Sequence, residues 1–559
     1  MKHLIFLVCF LLTSLFSEEP KICKNQILYL MQSGETQRSI QLYQDYVKGT
    51  GKPDFSILEQ MGYILLREGA QSEDEECQLL SMYGLGIAGS LEGLDLYEKG
   101  LSSPTPLVQM ATIQFLSSLQ DDEVEQLLFK AFSSPYLMVR LEAAHNLALR
   151  KSDQATGIID NLMQKLPPFF HVYFPELFGM IGTSDATGVL KRMLGDKYLN
   201  VRLAVILAAA KFGRDDFLNE IRAIATHSDQ AEQETCAAAL GYLKDSHSIP
   251  LLKTLSTSKH IHVKLAACHS LSLLGNDQCQ DSIKESALMK NPLAIPLLAN
   301  MNNTEPLLVS LLDDYHFHIR VNSALALLKK RDIRCIPTLL KILLTDEKDL
   351  GFQPIHSLGH SLMAWKVIPS ATQYAKKTQQ DIPAITLALK EQILQEALEL
   401  PEEEFVKIAR EIFKHKQHEL VPFLVYLLEN LKTPKSITLL QEESRHAGAP
   451  FIRTYCHLAL FRLKVEGPHR EFLSEWIQTC TDHDLIRFRS MLPWIERQES
   501  PHSSFQLTPE ETSRLLIEVF EALAESHDIK GVDILLSSLK SGHPKNRYAL
   551  AGLLLKAIQ

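Results

Sequence analysis

A unit of about 31 residues recurs through this 559-residue chain and constrains its fold more than any other feature. The clearest copies open with a Val or Ile and a basic residue followed by small apolar residues, at Val139–Leu147, Val201–Ala204, Val263–Leu271 and Ile319–Leu327. Weaker copies begin at Val108, Val172 and Glu232, and a degraded one lies near Asn291. Length alone would suggest three or four globular domains. The repeat predicts instead one elongated superhelix over roughly residues 20–559, with an irregular middle.

Each copy is predicted to contain two helices. First-helix segments such as Ile249–Leu255 and Ile336–Leu343 carry apolar residues at positions i, i+3 and i+4, which is typical of an amphipathic helix. Proline is tolerated in the first turn, where its missing N–H would have no helical partner. The Val-Arg segment begins the second helix, whose Ala and Leu positions allow close packing. The predicted fold class is all-α, a right-handed α-solenoid of stacked antiparallel helix pairs.

An aspartate follows each repeat start by 13 or 14 positions, in the turn between one second helix and the next first helix. A carboxylate there can cap free N–H groups or pair with the basic residue of an adjacent repeat. We therefore predict a structural ladder of partly exposed ion pairs, each worth roughly 0–1 kcal/mol. An acidic binding stripe is the functional alternative. The ladder comprises Arg140, Arg202, Lys264 and Arg320 with Asp153, Asp185, Asp215, Asp245, Asp277 and Asp332.

The pattern Val-Arg-x-x-Ala-Ala-x-x-Leu, then Asp, then a Pro-Leu-Leu helix, resembles the HEAT-like repeat of the phycobilisome-lyase type. The resemblance covers roughly residues 104–345 and returns at Ile452–Leu460 and Asn546–Ala551. It implies an armadillo-type superhelix whose curved face binds partners. It does not carry over lyase chemistry, because many scaffolds without that activity contain such repeats.

The remaining sequence is divided by its patterns into five segments. Residues 1–17 have a basic start, an apolar run and small residues before Glu18, which is typical of a cleaved signal peptide. An uncleaved membrane anchor is the alternative. The other segments are an N-terminal helical cap, for which a tetratricopeptide-like fold is one interpretation (18–103), the repeat array (104–345), degenerate helical repeats (346–435) and C-terminal HEAT-like helices with a loop near 496–508 (436–559).

Composition excludes several classes of protein. There are 57 basic and 67 acidic residues, a net charge of −10, and no long basic tract, so nucleic-acid binding is not expected. Nine cysteines are spread without a CxxC pair, which argues against a zinc ribbon and against disulfides as the main stabilising element.

Two histidine arrangements are the strongest candidates for metal chemistry. His356 and His360 have the i, i+4 spacing of a helical zinc pair, but Ser357 stands where a metalloprotease needs Glu. His260 with His262 and His316 with His318 share a turn position that holds Tyr136 or Tyr198 in other repeats, which favours a ring packed over the turn. No catalytic, cofactor-binding or metal-ligating residue is predicted, and no cofactor is expected.

The function predicted from these patterns is a non-catalytic scaffold that binds a protein or peptide along the concave face of the solenoid. The signal peptide places it in the periplasm or outside a bacterial cell, without membrane insertion after cleavage. The alternative is a lyase- or isomerase-type enzyme acting on a ligand inside the superhelix.

Overall fold

The computed structural model describes residues 24–227, 229–346, 350–378, 381–480 and 509–559, and they form helices with one pair of strands. The chain divides into two compact units. Of the described residues, the first contains those within 24–140, 474–480 and 509–559, and the second contains those within 141–473. The predicted signal segment and the predicted loop at 496–508 lie outside the described residues. None of the helices in the described ranges is long and apolar enough to cross a membrane.

The first unit takes its helices from both ends of the chain. Those of its N-terminal part are α1 (Lys24–Gln32), α2 (Thr36–Thr50), α3 (Phe55–Ala70), α4 (Glu75–Ala88), α5 (Leu94–Leu101), α6 (Pro106–Leu116) and α7 (Asp122–Lys130). Helix α8 (Leu137–Leu149) begins in this unit and ends in the second.

The second unit continues the helical pairs with one interruption. Its helices before the strands are α9 (Ala155–Gln164), α10 (Phe174–Ile181), α11 (Ser184–Met193), α12 (Leu199–Lys211), α13 (Leu218–Ile224), α14 (Gln230–Tyr242), α15 (Ile249–Leu255), α16 (Ile261–Leu273), α17 (Gln280–Leu288), α18 (Glu305–Leu311), α19 (Phe317–Lys329) and α20 (Ile336–Leu343). Strands β1 (Leu350–His356) and β2 (Met363–Pro369) follow.

Helices then resume to the end of the chain. They are α21 (Ala371–Thr378), α22 (Ile382–Ala397), α23 (Glu402–Lys414), α24 (Val421–Leu431), α25 (Pro434–His446), α26 (Pro450–Arg462), α27 (His469–Thr479), α28 (Pro509–Glu525), α29 (Ile529–Ser541) and α30 (Arg547–Ile558). Helix α27 is shared between the two units, and α28–α30 belong to the first.

The fold is an all-α solenoid of stacked antiparallel helix pairs, and its period is visible in the backbone. Positive φ angles recur just after the repeat helices, at Lys151, Gly182, Gly213, Lys244 and Gly275, and each of these residues is 31 positions from the next. A residue in the left-handed region ends a helix by allowing its N–H to reach a carbonyl of the last turn. The N–H of Lys151 donates to the Ala148 carbonyl at 2.9 Å. One repeat is therefore one helix pair closed by one left-handed turn.

Small residues let successive second helices pack closely. Ser270 on α16 donates from Oγ to the Ala237 carbonyl of α14 at 2.7 Å, and both residues are fully buried. A Cβ at Gly241 would lie 2.5 Å from the Cβ of Ser270, so only glycine fits there. The predicted role of small residues in the second helices is confirmed. Cys236, Cys268 and Cys456 stand at small-residue positions of the repeat, which predicts burial, and all three are buried in these helices.

Most predicted helices outside the array are present with small differences in length. Apolar spacing in the sequence predicts helices at Ile57–Leu66, Cys77–Leu85, Glu403–Phe413 and Leu420–Leu431, and these segments lie in α3, α4, α23 and α24, except that α24 begins at Val421. The same spacing predicts one helix over Ile27–Tyr46, but the structure has two, because Gly34 adopts a positive φ of 80° between α1 and α2. The assignment of residues 18–103 to a tetratricopeptide-like cap stays a prediction, as do the other segment boundaries.

Residues 346–435 also contain a feature that the helical pattern did not predict. Strands β1 and β2 pair antiparallel, with Leu350 opposite Pro369 and His356 opposite Met363. Phe352, Ala364 and Ile368 are buried from this hairpin, whereas Lys366 is exposed. The interpretation of this segment as helical throughout is therefore wrong for residues 350–369.

The C-terminal helices of the first unit pack on its N-terminal helices. Helix α30 contacts α3 and α4, and α29 contacts α2. Arg547 donates from Nη2 to Glu68 Oε1 at 2.6 Å, and Gln559 donates from Nε2 to the Ala88 carbonyl at 3.1 Å. Gly84 and Gly552 bring the α4 and α30 backbones into direct contact. No local pattern in the sequence predicts that helices from the two ends of the chain share one core.

A buried histidine in α16 makes the second unit sensitive to acid. His269 is 3% exposed, and burial lowers its pKa to about 4. Its Nε2 lies 3.0 Å from Nδ2 of Asn300, which can donate to it only while the ring is neutral. Because the folded pKa lies below the unfolded value near 6.5, the stabilisation is complete above pH 6.5 and is lost as the pH falls toward 4.

We expect His269→Gln to flatten this pH dependence. Between pH 7 and 4.5 the wild-type protein should lose about 2 kcal/mol more free energy of unfolding than the variant, since each pKa unit corresponds to roughly 1.4 kcal/mol. Urea unfolding followed by circular dichroism at both pH values measures the difference. His247→Gln, at an exposed position, is the control and should follow wild type. Equal pH slopes for wild type and His269→Gln would contradict the assignment.

Candidate functional site

The candidate site is a face of the second-helix layer, defined as α12, α14, α16 and α19. Helices α12, α14 and α16 pack in succession, and α19 follows through the short 3₁₀ helix Pro296–Asn300. The β1–β2 hairpin lies on the side chains of α14 and α19 and also contacts α22. This face therefore already holds an extended segment of polypeptide.

A buried carboxylate anchors the turn of the hairpin, residues 357–362. The Glu234 side chain of α14 is fully buried. Its Oε1 accepts hydrogen bonds from the hydroxyls of Ser357 and Ser361, the latter at 2.6 Å, and its Oε2 accepts from the N–H of Gly359 at 2.9 Å. His262 Nδ1 stands 3.8 Å from Oε2. Burial of a carboxylate is costly unless it is hydrogen-bonded, and the turn supplies these bonds.

The turn approaches the helix so closely that one position requires glycine. Thr235 donates from Oγ1 to the Gly359 carbonyl at 2.8 Å. A Cβ on Gly359 would lie 2.7 Å from the Ala231 carbonyl oxygen and would also overlap Thr235 Oγ1. The main chain of the turn is thus held through both its N–H and its C=O.

An asparagine on α19 binds the main chain of β2 in the same way. Asn322, 1% exposed, donates from Nδ2 to the Trp365 carbonyl and accepts from the Trp365 N–H through Oδ1, both at 2.8 Å. Asn322 and Thr235 each stand five residues after the first residue of their helix. Equivalent positions of two second helices therefore bind polypeptide backbone.

The other strand of the hairpin is fixed by a hydroxyl and by aromatic packing. The N–H of Phe352 donates to Thr386 Oγ1 of α22 at 3.0 Å. The Phe352 ring is fully buried and meets the Phe317 ring of α19 edge to face, with ring centroids 6.3 Å apart. These contacts bury the apolar side of the hairpin.

A cleft remains open beside the turn. It has a volume of about 280 Å³ and is lined by residues of α14, by the residues at the start of α16, and by Leu358 of the turn. Leu358 is 59% exposed, and its N–H donates to His262 Nδ1 at 3.4 Å. The cleft leaves part of the α14–α16 surface accessible while the hairpin is bound.

The candidate histidine pairs occupy positions other than a helical metal site. His356 ends β1 and His360 lies in the turn with a φ of 57°, so the two are not on one helix, although their ring centroids are 5.7 Å apart. His260 and His316 are the residues immediately before α16 and α19. Within the described residues, no three His, Cys, Asp or Glu side chains converge to hold a metal ion.

The basic residues of the predicted ladder have other partners. Arg202 donates from Nη1 to the Asp196 carbonyl at 2.8 Å, and Arg320 donates from Nη1 to the Asp314 carbonyl at 2.7 Å. In both repeats the guanidinium thus closes the turn that precedes its own helix. Arg202 also pairs with Glu232 Oε1 of the next second helix at 2.6 Å. The expected partners, the turn aspartates, are replaced by a backbone carbonyl and by Glu232.

The aspartates of the predicted ladder bind different partners in different repeats. Asp332 caps the N–H of Arg334 at 3.0 Å, the capping role that the sequence predicts. Asp245 accepts hydrogen bonds from Arg222 of α13 through both of its carboxylate oxygens. Burial alone would raise the pKa of Asp245, but the hydrogen bonds from Arg222 and from the Ser248 hydroxyl outweigh it, so the pKa is lowered. Asp277 accepts from Gln280, Asp185 lies in the first turn of α11, and Asp215 begins a 3₁₀ helix. Within the part of the chain that the structure describes, Arg140, Lys264 and Asp153 form no ion pair, so the predicted ladder is not continuous.

Sequence reasoning missed the residues that form the site. Glu234 and Thr235 end a polar run in the first half of α14, and Asn322 stands beside Ser323, so no pattern marks these residues as functional. Only the strand-like run Trp365–Ile368 with Gly359 before it signals a hairpin. Nothing in the sequence pairs that run with α14 and α19.

No protein-family model matches the chain, and no curated protein matches its sequence. Among solved structures, it is similar to the CpcE–CpcF complex of phycocyanin lyase from Nostoc, with 16% identity and a TM-score of 0.24 over 45% of this chain and 94% of that chain. It is also similar to UNC-45 from Drosophila melanogaster, with 12% identity and a TM-score of 0.31 over 96% and 82% of the two chains.

A third similar structure is a mutant of the karyopherin Kap121p, with 12% identity and a TM-score of 0.35. The match covers 95% of this chain but only 59% of the karyopherin chain. All three TM-scores are below 0.5, and the function proposed below depends on the geometry of this chain alone.

Proposed function

We propose that the protein is a scaffold that binds an extended polypeptide segment of a partner on the second-helix layer. The observation that carries the proposal is the pair of hydrogen bonds between the Asn322 side chain and the main-chain N–H and C=O of Trp365. Because this side chain binds the main chain, it can hold an extended segment of any sequence.

Two further contacts supply selectivity. Glu234 accepts hydrogen bonds from two serine hydroxyls and one glycine N–H. The Thr235 hydroxyl donates to the carbonyl of the same glycine, and the turn can come this close to α14 only because glycine has no Cβ. A segment that presents hydroxyl and main-chain donors around a glycine satisfies this face. A bulky residue at the glycine position would be rejected by the Ala231 carbonyl.

The hairpin itself supplies a probe for testing the proposal. In the full-length chain, residues 350–369 are replaced by a Gly-Ser linker of equal length, and a fluorescent peptide with the sequence 350–369 is titrated by anisotropy. We expect saturable binding with a Kd on the order of micromolar, about −8 kcal/mol. Asn322→Ala should weaken this binding about thirtyfold, since two hydrogen bonds at about 1 kcal/mol each are lost.

Two controls make the result specific. Lys329→Ala, at an exposed position of the same helix, should bind the peptide as the parent does. A peptide with Val in place of Gly359 should bind much more weakly, because its side chain overlaps Ala231 and Thr235. Absence of saturable binding, or equal binding by Asn322→Ala, would refute the proposal.

We also propose that the chain is exported to the periplasm or beyond and that residues 1–17 are removed. The basic start and the short apolar run at Leu4–Leu12 support this proposal. The mass of the N-terminal peptide of protein purified from its native source tests it, and an intact Met1 would refute the cleavage. The lyase alternative stays a prediction.

A further inference from the structure

A cleft of about 390 Å³ lies in the first unit, between α2, the start of α3 and α29. Most of its lining is apolar. Phe55 and Ile529 are 46% and 56% exposed beside it, and the buried residues Val532 and Leu536 of α29 also line it. A concave, mostly apolar site of this volume with a few polar groups is typical of small-ligand binding.

Two polar side chains that line the cleft already have partners. The Tyr43 hydroxyl donates to the Asp54 carbonyl at 3.4 Å and accepts from the Asp54 N–H at 3.2 Å. The Lys48 ammonium of α2 pairs with Asp45 on the same helix at 3.2 Å. The positive charge that this lysine brings to the cleft is therefore balanced by a carboxylate.

Asp533 of α29 is the acidic residue of the lining, and its charge is not balanced. Within the described residues, neither the Asp533 carboxylate nor the Gln44 side chain of α2 has a hydrogen bond or an ion pair. Asp533 is accessible to solvent, but its neighbours partly desolvate it, and this burial raises its pKa. A carboxylate that stands beside apolar walls without a counterion is complementary to a cation.

We propose that this cleft binds a small primary amine that carries an apolar or aromatic group. The ammonium group donates to the Asp533 carboxylate and to the side-chain carbonyl of Gln44, and the apolar group packs beside Phe55 and Ile529. A neutral ligand leaves the carboxylate without a counterion, and an anionic ligand is repelled by it. This site belongs to the first unit alone and does not depend on the peptide binding proposed for the second-helix layer.

Phenethylamine is the probe, because it combines one ammonium group with one aromatic ring. Its binding to the full-length protein near neutral pH is measured by a saturation-transfer NMR titration. We expect saturable binding with a Kd on the order of 1 mM, a modest affinity for a ligand of about nine non-hydrogen atoms. Phenethyl alcohol has the same ring without the charge, and it should bind at least about tenfold more weakly, since it forms no charge-assisted hydrogen bond with an ammonium donor.

Variants separate the charge from the apolar walls. Asp533→Asn should weaken phenethylamine binding about tenfold and leave the binding of phenethyl alcohol unchanged, which also shows that the cleft is still folded. Phe55→Ala should weaken the binding of both probes, because it removes apolar surface that both contact. Glu123→Gln is the matched control, since it removes a negative charge at an exposed position of α7, and it should bind both probes as wild type does.

Three results would overturn the proposal. The first is the absence of saturable phenethylamine binding below about 20 mM, which is too weak for a built site. The second is equal affinity for the amine and the alcohol, because the carboxylate would then contribute nothing. The third is wild-type affinity of Asp533→Asn for phenethylamine, because the amine would then bind elsewhere.

Discussion

Gly552→Ala is expected to destabilise the first unit by about 3 kcal/mol, at the upper end of the range for overpacked sites. A Cβ at this position would overlap the Gly84 carbonyl, which is main chain of α4 and cannot rotate away. Helix α30 would have to move as a whole. Its buried residues, which include Leu553 and Leu554, would then lose contacts with α3 and α4.

Urea unfolding measures this loss, and hydrogen exchange of peptides from α4 and α30 locates it. Gly49→Ala is the matched control in the same unit, because Gly49 is exposed on α2 and a Cβ there meets nothing within 4 Å. That change should stabilise slightly, by up to about 1 kcal/mol, through helix propensity. If Gly552→Ala unfolded at the wild-type urea concentration, the direct backbone contact between α4 and α30 would be disproved.

Glu234→Ala is expected to release the hairpin turn from α14. The change leaves the hydroxyls of Ser357 and Ser361 and the N–H of Gly359 without their acceptor. Buried donors without partners cost roughly 1–3 kcal/mol each, and solvent entering the opened site recovers part of that cost. We expect the free energy of hairpin opening to fall by about 3 kcal/mol.

Limited proteolysis reads this opening directly. Lys366 is exposed in β2, and trypsin can cleave after it only when the strand leaves its partner. The cleavage rate should rise about a hundredfold in Glu234→Ala, because only the open form is cleaved and its population rises by that factor. The rate follows this population because the open and closed forms exchange faster than trypsin cleaves. Gly359→Val should give a similar increase by steric overlap, and Glu285→Ala, at an exposed position of α17, should not. A cleavage rate unchanged in both hairpin variants would contradict the described anchoring.

The sequence predicts the helical part of the fold well because each repeat is stabilised locally. The spacing of apolar residues in Ile336–Leu343 and the small residues of Val263–Leu271 define helix and packing face without knowledge of distant residues. The left-handed turn at Gly213 or Gly275 is also a local property.

The candidate site could not be predicted because it joins residues that are distant in sequence. Glu234 and Ser357 belong to segments separated by the six helices α15 to α20, and each alone is an ordinary polar residue among other polar residues. The same reason explains the missed contact of Gly552 with Gly84. Gly84 stands where close helix packing favours a small residue, but no local pattern joins it to its partner Gly552 near the other end of the chain.

The core shared by the two ends of the chain sets an order of events during synthesis. Helices α3 and α4 are synthesised hundreds of residues before the α30 residues that cover them, such as Tyr548 and Leu555. Until α30 has been made, the closely packed helix surfaces at Gly62 and Gly69 lack these partners, and unpartnered apolar surface is prone to aggregation. We therefore expect the first helices to reach their final packing only after α30 has been synthesised.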